Sequence, residues 1–192
     1  MSQLDVRDPA SIDRLAAEVA DAWGELSILI NNAGICPYTP PDDITVDEWD
    51  AVLETNARGT FLMTRTVLPL LRAATGDRSV VNISSIAGQT GGYTTSVHYA
   101  ASKAAILAIT RSYARHLAGE GIRVNAVTPG PIDTSITDKL DPDVRERFGS
   151  GIPLGRFGRP EEVAAAIVLL AMPDSSFTTG ATYDVNGGVR ID

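Results

Sequence analysis

Apolar residues fall into two alternating patterns along this chain, short continuous runs and longer stretches with helical spacing. The short runs have the length of buried parallel strands, and they cover residues 26–30, 79–84, 122–127 and 181–185. The longer stretches predict helices over residues 9–23, 46–71, 98–117 and 160–171, with a short helix at 143–148. Strands that alternate with helices at this spacing predict an α/β fold, a doubly wound parallel sheet with helices on both faces.

The predicted helix ends carry residues with capping chemistry. Asp8 can accept a hydrogen bond as an N-cap residue, and Pro9 suits the first helical position because its missing N–H group is not needed there. Gly24 is placed to close the same helix, and residues 45–48 have the spacing of a capping box. Residues 3–6 have the pattern of the end of a strand, so we expect a strand that leads directly into the first helix.

The composition fits one globular domain over residues 1–192, with 44% apolar and 21% charged residues. A net charge of −8 argues against a general nucleic-acid surface and against binding to anionic membranes. The sequence has no apolar run of membrane-spanning length and no signal-peptide pattern, so we expect a cytoplasmic protein. Its single cysteine, Cys36, excludes a disulfide within the chain and suits a reducing compartment.

Three predicted strands end in polar or glycine-containing segments, which are NNAG at 31–34, ISS at 83–85 and VTPG at 127–130. In open parallel sheets, ligands bind beyond the carboxyl ends of the strands. We therefore expect these three segments to face one common ligand site.

Tyr99 and Lys103 are four residues apart in a predicted helix, so their side chains share one helix face. An ammonium group near a phenol favours the phenolate, and we expect Lys103 to lower the pKa of Tyr99 towards a range useful for proton transfer. An incidental pair on a surface helix is the alternative. Ser85, at the end of a buried strand, can donate a hydrogen bond to a substrate oxygen and favours the functional interpretation.

Asn56 lies inside a long predicted helix, where asparagine is a poor helix former. It is either a solvent-facing residue or one that distorts the helix locally and holds a water molecule near Lys103. His98 and His116 lack metal-ligand spacing, so we expect no metal site. For Cys36, which follows the NNAG segment, we expect a packed or pocket-facing thiol rather than a nucleophile.

Several motifs, in order along nearly the whole chain, resemble those of the short-chain dehydrogenase/reductase family. They are LDVRD at 4–8, NNAG at 31–34, ETNARGTF at 54–61, NISSIAG at 82–88, YAASK at 99–103, GIRVNAVTPGPIDT at 121–134, RFGRPEEVA at 156–164 and TGATYDVNGG at 179–188. The resemblance implies a Rossmann-like fold and an NAD(P)-dependent oxidoreductase that interconverts a ketone and a secondary alcohol. It points about equally to 3-oxoacyl-thioester reductases and to small secondary-alcohol dehydrogenases.

The resemblance also implies a set of catalytic residues. Tyr99 would be the general acid/base, and Lys103 would lower its pKa and bind the nicotinamide ribose. Ser85 would position and polarise the substrate oxygen, whereas Ser84 fits less well because the family serine precedes an xAG sequence. Asn56 would anchor a proton-relay water.

The implied cofactor is NAD or NADP, with contacts on four segments of the chain, one of which carries Tyr99 and Lys103. Asp5 would bind the adenine amine, with Val6 beside it. The remaining predicted contacts are Asn31, Ala33 and Gly34 on the adenosine side, largely through backbone groups, and Pro129, Gly130, Ile132 and Thr134 at the nicotinamide carboxamide, with Thr134 also near the pyrophosphate.

The family's glycine-rich TGxxxGxG turn, whose backbone N–H groups hold the pyrophosphate, does not occur in this sequence. The resemblance thus implies an N-terminally truncated fold in which the first two βα units, about 60 residues, are missing together with the residues that choose between NAD and NADP. The strand at 26–30 would have an unpaired edge, so we expect residues 1–24 to be displaced from their family position or paired with another chain. The alternative function is a catalytically incompetent fragment or oligomerising pseudo-enzyme with weak or no dinucleotide binding.

The expected partners are a small carbonyl or alcohol substrate and further copies of the chain, with no nucleic acid and no membrane. The resemblance implies a homo-oligomer, dimer or tetramer, with contacts through residues 46–74 and 99–118 and the C-terminal strand. Four residues in the predicted substrate loops suggest an apolar pocket: Tyr93, Ile136, Leu140 and Phe148.

Overall fold

The computed structural model describes residues 2–92, 95–135, 137 and 142–191, except for the side chains of residues 142, 144, 147 and 148. The four residues predicted to form an apolar pocket fall outside this description, Tyr93, Ile136 and Leu140 entirely and Phe148 in its side chain. Within the described part of the chain, no helix combines the length and the apolarity needed to cross a membrane.

The centre of the fold, in the described residues, is a four-stranded parallel sheet in the order β1-β2-β3-β4. The strands are β1 (Ile28–Asn31), β2 (Arg78–Ile83), β3 (Ile122–Pro129) and β4 (Thr182–Val185). The register places Asn31 opposite Asn82, and Val127 opposite Tyr183. The parallel sheet predicted from four short apolar runs is therefore confirmed, and the carboxyl ends of its strands lie at one edge.

Helices connect the strands and lie on both faces of the sheet. They are α1 (Pro9–Trp23), α2 (Val46–Leu53), α3 (Gly59–Ala73), α4 (Ala87–Thr90), α5 (Val97–Leu117), α6 (Pro142–Ser150) and α7 (Pro160–Ala171). A π-helical segment, Glu54–Arg58, joins α2 to α3. The predicted caps of α1 are confirmed, since the Asp8 carboxylate accepts a hydrogen bond from the Ala10 N–H group at 3.0 Å and Gly24 ends the helix with a left-handed φ of 74°.

Two hydrophobic clusters fix these helices onto opposite faces of the sheet. On one face, Leu29, Val80 and Val124 pack against α1, α3 and α5. On the other face, Val81 and Val127 pack against α7. Successive residues of a strand point to opposite faces, so neighbouring valines of β2 serve different clusters. The predicted doubly wound arrangement is present.

The segment before α1 differs from its prediction in two ways. Residues 3–6 form no strand; a turn leads into α1 instead, closed by a hydrogen bond from the Asp8 N–H group to the Asp5 carbonyl oxygen. The expected displacement is also wrong for residues 2–24, because Val6 and Ile12 are buried in the cluster that contains α3 and the sheet. Apolar burial within the chain's own core holds this segment.

Strand β1 has one covered and one open face. Leu29 and Asn31 are buried on the α3 side, whereas Ile28 and Ile30, on the face that carries α7 further along the sheet, are each 37% exposed. Among the described strands β1 pairs only with β2, so its outer edge has no strand partner, as the sequence predicts.

Candidate active site

A cavity of about 680 Å³ lies beyond the carboxyl ends of β1, β2 and β3. The loop after β1, the end of β2, the start of α5 and the turn after β3 form its walls. Eight residues predicted to act on the substrate or cofactor line it: Gly34, Ser85, Tyr99, Lys103, Pro129, Gly130, Ile132 and Thr134. The strand ends expected to face one site therefore do so.

Other predicted residues lie away from the cavity lining. Asp5 is exposed and accepts two hydrogen bonds from the Arg7 guanidinium, at 3.1 and 2.8 Å, which lower the pKa of its carboxyl to about 2. The Val6 side chain packs into the core beside Gly59. A Cβ atom on Gly59 would lie only 2.8 Å from the Val6 side chain. Ala33 is exposed on the loop after β1.

Asn31 is also absent from the cavity lining because its side chain is used inside the core. Its amide donates hydrogen bonds to the Asn82 Oδ1 atom at 2.8 Å and to the Thr64 hydroxyl at 3.0 Å. Asn82 in turn donates to the Thr110 hydroxyl at 2.9 Å. This buried network joins β1 and β2 to α3 and α5.

The close packing of α4 on α5 sets the position of Tyr99 and Lys103. A Cβ atom on Gly88 of α4 would lie 2.5 Å from the Lys103 carbonyl carbon, so only glycine fits at this crossing. The Ser84 hydroxyl donates a hydrogen bond to the Lys103 carbonyl oxygen at 2.7 Å. Of the two serines at the end of β2, Ser84 therefore anchors α5, whereas Ser85 lies beside Tyr99.

The Lys103 ammonium group is buried at the cavity wall. Its Nζ atom donates a hydrogen bond to the Ile83 carbonyl oxygen at 2.9 Å, and burial lowers the pKa of Lys103 to about 8. An ammonium group carries three N–H donors, so Lys103 can offer further hydrogen bonds to a ligand. Gly34 leaves room for that ligand, since a Cβ atom there would lie 3.5 Å from Nζ.

The pKa of Tyr99 shifts in the direction opposite to the one expected from the sequence. Burial raises the pKa of the phenol above its ordinary value, the Cys36 thiol adds to the rise, and a hydrogen bond with Ser85 opposes it. Lys103 does not offset burial, because its Nζ atom lies 5.6 Å from the Tyr99 ring centroid and hydrogen-bonds elsewhere. The prediction that Lys103 lowers the pKa of Tyr99 is wrong for this structure, which favours the neutral, proton-donating phenol.

Asn56 lies fully buried in the π-helical segment, behind the cavity wall. Its Oδ1 atom accepts a hydrogen bond from the Ile35 N–H group at 2.9 Å, and its Nδ2 atom donates to the Ile35 carbonyl oxygen at 3.0 Å and to the Ser102 hydroxyl at 2.9 Å. The solvent-facing interpretation is therefore wrong, and the predicted local distortion of the helix is confirmed. The relay water near Lys103 stays a prediction.

The turn after β3 depends on Thr137, a residue that the sequence did not indicate. Its hydroxyl oxygen lies 2.8 Å from the Ile132 carbonyl oxygen and 2.9 Å from that of Thr134, and it accepts a hydrogen bond from the Thr134 N–H group at 3.0 Å. Gly130 packs against Asn186, since a Cβ atom on Gly130 would lie 2.7 Å from the Asn186 Cα atom. A threonine that folds a polar loop back on itself leaves no periodic signal in the sequence.

Cys36 and Tyr38, on the loop after β1, line the cavity beside Tyr99. Burial raises the pKa of the Cys36 thiol to about 11 and that of the Tyr38 phenol to about 12. A thiol that stays protonated at neutral pH agrees with a pocket-facing cysteine that is not a nucleophile. Sequence reasoning missed Tyr38, because a tyrosine between two prolines of a loop belongs to none of the matched motifs.

The described ranges bring together no group of three or more His, Cys, Asp or Glu side chains that could hold a metal ion. His98 is buried, with its Nε2 atom 3.1 Å from Glu48 Oε1 and its ring stacked on Trp49. It links α5 to α2 and is not part of the cavity lining.

Comparisons with known proteins give the relationships of this chain. A family model described as enoyl-(acyl carrier protein) reductase matches residues 1–190. The 3-oxoacyl-[acyl-carrier-protein] reductase of Thermotoga maritima is 42% identical over 191 residues, which cover 98% of this chain and 76% of that protein. The sorbitol dehydrogenase of Cereibacter sphaeroides is 35% identical, with 96% of this chain and 76% of that protein covered.

A solved structure shares the fold described above. The aldohexose dehydrogenase of Thermoplasma acidophilum, in its ligand-free form, matches with a TM-score of 0.88 and 32% identity over 96% of this chain and 76% of that one. The family model, the similar sequences and this structure agree with the motifs at the strand ends. The chain belongs to the short-chain dehydrogenase/reductase family of oxidoreductases.

Proposed function

We propose that this chain is an NAD(P)-dependent oxidoreductase that interconverts a ketone and a secondary alcohol, with Tyr99 as the acid/base. The observation that carries the proposal is the convergence of Ser85, Tyr99 and Lys103 in one cavity at the carboxyl edge of the sheet. Proteins similar to this chain are named as 3-oxoacyl reductases and as sorbitol and aldohexose dehydrogenases, which all act on carbonyl or alcohol groups.

Ser85 and Tyr99 act on the substrate oxygen in this proposal. The Ser85 hydroxyl donates a hydrogen bond that orients and polarises the carbonyl group. The Tyr99 phenol, kept neutral because burial raises its pKa, gives its proton to that oxygen during reduction and takes it back during oxidation. A nicotinamide dinucleotide, when bound, supplies or accepts the hydride.

The cavity residues fit the nicotinamide end of such a dinucleotide. Lys103 has N–H donors for the ribose hydroxyls, and the missing Cβ atom of Gly34 opens the space beside its Nζ atom. Ile132 and Thr134 border the same cavity on the turn after β3, where they can position the carboxamide. Asn56 supports this wall through Ile35 and Ser102, and in the proposal its segment also anchors a relay water.

The competing proposal is that this chain binds dinucleotides weakly or not at all. One observation favours it: the Asp5 carboxylate, which the resemblance assigns to the adenine amine, is paired with Arg7 outside the cavity lining.

Calorimetric titration of the purified chain with NADH and with NADPH separates the two proposals. A dissociation constant in the micromolar range for either dinucleotide supports the oxidoreductase. The dinucleotide that binds more tightly is then identified as the cofactor. Binding weaker than about 1 mM, or no heat at all, supports the incompetent fragment.

The role of Tyr99 is tested by turnover with a 3-oxoacyl thioester, a polyol and an aldose as substrates. Tyr99→Phe removes only the phenol oxygen, and we expect it to lower kcat by at least about a hundredfold. Tyr183→Phe, on β4 and 43% exposed, is the matched control and should retain wild-type turnover. Equal turnover of wild type and Tyr99→Phe would reject Tyr99 as the acid/base.

We also propose a homodimer or homotetramer. Large apolar side chains are exposed on several described helices, including Val46 on α2, Phe61 on α3 and Val168 on α7. Such surfaces are typical of association sites. Size-exclusion chromatography with light scattering should show a dimer or tetramer, and a monomer at every concentration would contradict the proposal.

A further inference from the structure

The loop over residues 35–39 follows β1 and forms part of one wall of the cavity. Asn56 holds the start of this loop, because its amide bonds both the N–H group and the carbonyl oxygen of Ile35. Helix α5 holds the middle, since the Ser96 hydroxyl donates a hydrogen bond to the Pro37 carbonyl oxygen at 2.8 Å. The far end of the loop is held by a contact between side chains that the proposed reaction does not use.

That contact passes through a single carboxylate oxygen. The Thr39 hydroxyl donates a hydrogen bond to the Oε1 atom of Glu48 on α2, at 2.6 Å. The same oxygen lies 3.1 Å from the Nε2 atom of His98 on α5. His98 directly precedes Tyr99, so the contact reaches the turn of helix that bears the proposed acid/base. Glu48 therefore joins the cavity loop, α2 and α5, and we call this contact the Glu48 bridge.

The His98 ring is held in one orientation within the bridge. Its side chain is fully buried, and the ring stacks on Trp49 with 6.4 Å between the centroids. The hydrogen bond from Thr39 and, less strongly, the one from His98 lower the pKa of the Glu48 carboxyl. The resulting carboxylate can only accept hydrogen bonds, so the His98 Nε2 atom carries the proton that meets it.

The other ring nitrogen of His98 defines the tautomer. Its Nδ1 atom is buried and has no hydrogen-bond partner in the part of the chain that the structure describes. A proton on Nδ1 would therefore be a buried donor without an acceptor, which is unfavourable. The contacts thus select the ring form with its proton on Nε2, directed at Glu48.

The needs of α2 alone do not explain the position of Glu48. Asp47, its neighbour in the first turn of α2, supplies the same charge to the helix N-terminus from an exposed position. The Glu48 side chain is only 29% exposed, and two donors from different elements share its Oε1 atom. Asp47 is therefore the matched control for Glu48.

We propose that Glu48 is a positioning residue that holds the loop over residues 35–39 against α5 and so sets the width of the cavity beside Tyr99. Its Oε1 atom keeps Thr39 and His98 together, which fixes the distance between the loop wall and α5. Glu48 is not part of the cavity lining and acts through the loop. The effect on turnover rests on the proposed function, whereas the bridge itself does not.

The bridge is tested by NMR of protein labelled with ¹⁵N in its histidine rings. The chain has two histidines, so His116→Gln assigns the signals of His98. We expect wild type to show a protonated Nε2 and an unprotonated Nδ1. Glu48→Ala removes the acceptor and should shift both ring nitrogens of His98, whereas Asp47→Ala should leave them unchanged. A proton on Nδ1 alone in wild type, or identical His98 signals in wild type and Glu48→Ala, would overturn the bridge.

The hold on the loop is tested by hydrogen–deuterium exchange, measured by mass spectrometry. Thr39→Val removes the hydroxyl at nearly constant size, and Thr39→Ser retains it. We expect a peptide containing residues 35–39 to exchange about threefold to tenfold faster in Thr39→Val and in Glu48→Ala, because one hydrogen bond fewer opposes local opening. Thr39→Ser and Asp47→Ala should exchange at the wild-type rate. The same rate in all of these proteins would show that the bridge does not hold the loop.

The split between KM and kcat distinguishes positioning from a general loss of stability. Ser85 and Tyr99 act on the substrate oxygen in the proposed reaction, and the loop only borders the cavity. Thr39→Val should therefore raise KM for the substrate that wild type turns over by about threefold to tenfold and leave kcat within about twofold. Thr39→Ser should restore the wild-type KM, and an unchanged KM in Thr39→Val would reject the positioning role.

The outcomes separate this inference from the proposed function. A wild type that turns over no substrate would reject the proposed function alone, because the histidine signals and the exchange of the loop decide the bridge without turnover. An active wild type with unchanged histidine signals in Glu48→Ala would reject the bridge and leave the proposed function in place.

Discussion

At the scale of single residues, burial governs the acid–base behaviour of the two central side chains. It lowers the pKa of Lys103 to about 8 and raises that of Tyr99, so both shifts are towards the neutral form of the group. The pKa shift of Lys103 does not depend on Tyr99, and the pKa shift of Tyr99 does not depend on Lys103. Burial in the surrounding core therefore sets both shifts, and Cys36 adds to the rise at Tyr99.

The buried Lys103 makes stability depend on pH in a defined direction. The unfolded chain keeps the Lys103 proton up to about pH 10.5 and the folded chain loses it near pH 8, so the unfolded state binds more protons between these values. The free energy of unfolding of wild type, relative to Lys103→Met, should therefore rise by about 3 kcal/mol from pH 8 to pH 10.5. Below pH 8 the difference should stay constant.

Urea unfolding of both proteins across this range measures the effect. Taking the difference between the two proteins cancels the contribution of other groups, such as tyrosines, that titrate in or near this range. Parallel stability curves would contradict a lowered pKa for Lys103.

At the scale of elements, the crossing of α4 over α5 is the contact on which the site geometry depends. Helix α4 begins two residues after Ser85, and α5 carries Tyr99 and Lys103. The two helices approach at Gly88, where backbone meets backbone. Any change in this separation moves Ser85 relative to Tyr99.

We expect Gly88→Ala to destabilise the fold by about 1–3 kcal/mol, since the new Cβ atom would lie 2.5–2.8 Å from backbone atoms of Lys103 and Ala104. Gly119→Ala is the control, because a Cβ atom at Gly119 meets nothing within 4 Å. Thermal unfolding monitored by circular dichroism compares the two. Equal melting temperatures for both variants would show that α4 can shift without cost.

The sequence predicted the elements well where periodicity and capping agree. Helix α1 begins and ends at the predicted caps, and α7 covers the predicted residues, Pro160–Ala171. Residues 3–6 failed as a strand because a strand needs a neighbour to pair with, and local pattern does not reveal whether one is present. The π-helical segment was indicated only by an asparagine in a helix, since its geometry arises from buried contacts to Ile35 and Ser102.

At the scale of the whole molecule, the sheet is covered unequally. Helices α1, α3 and α5 cover one face, whereas α7 covers only part of the other. The exposed Ile28 and Ile30 lie on the less covered face, on the strand whose outer edge has no described strand partner. Apolar side chains next to an open strand edge favour association with other chains.

We expect Ile28→Lys to reduce concentration-dependent aggregation, because a lysine on an edge strand opposes pairing with another strand. The comparison variant is Phe177→Lys, which places the same charge at an exposed turn position before β4. Static light scattering over a range of protein concentrations measures the difference. Identical scattering in the two variants would locate the association elsewhere on the surface.

The site was predictable from the sequence as far as the strand ends define it. Ser85, Tyr99 and Lys103 meet in the cavity because parallel strands bring their carboxyl ends to one edge. The direction of the Tyr99 pKa shift was not predictable, because it depends on burial and on Cys36, which approaches through a loop of a separate βα unit. The spacing of Tyr99 and Lys103 shows that they share one helix face, but it does not show how deeply each side chain is buried.

The π-helical segment Glu54–Arg58 joins α2 to α3 without a loop. It therefore also sets how far the faces of α3 are rotated about the helix axis relative to those of α2. Each residue advances an α-helix by about 100°, and a π-turn holds one residue more than an α-turn. Through this offset α2 can pack against α5 while α3 packs against α1 and β1. A one-residue deletion within 54–58 would give a more regular helix and yet rotate α3 away from its neighbours. A change of length inside this five-residue segment should therefore disturb the packing of α3.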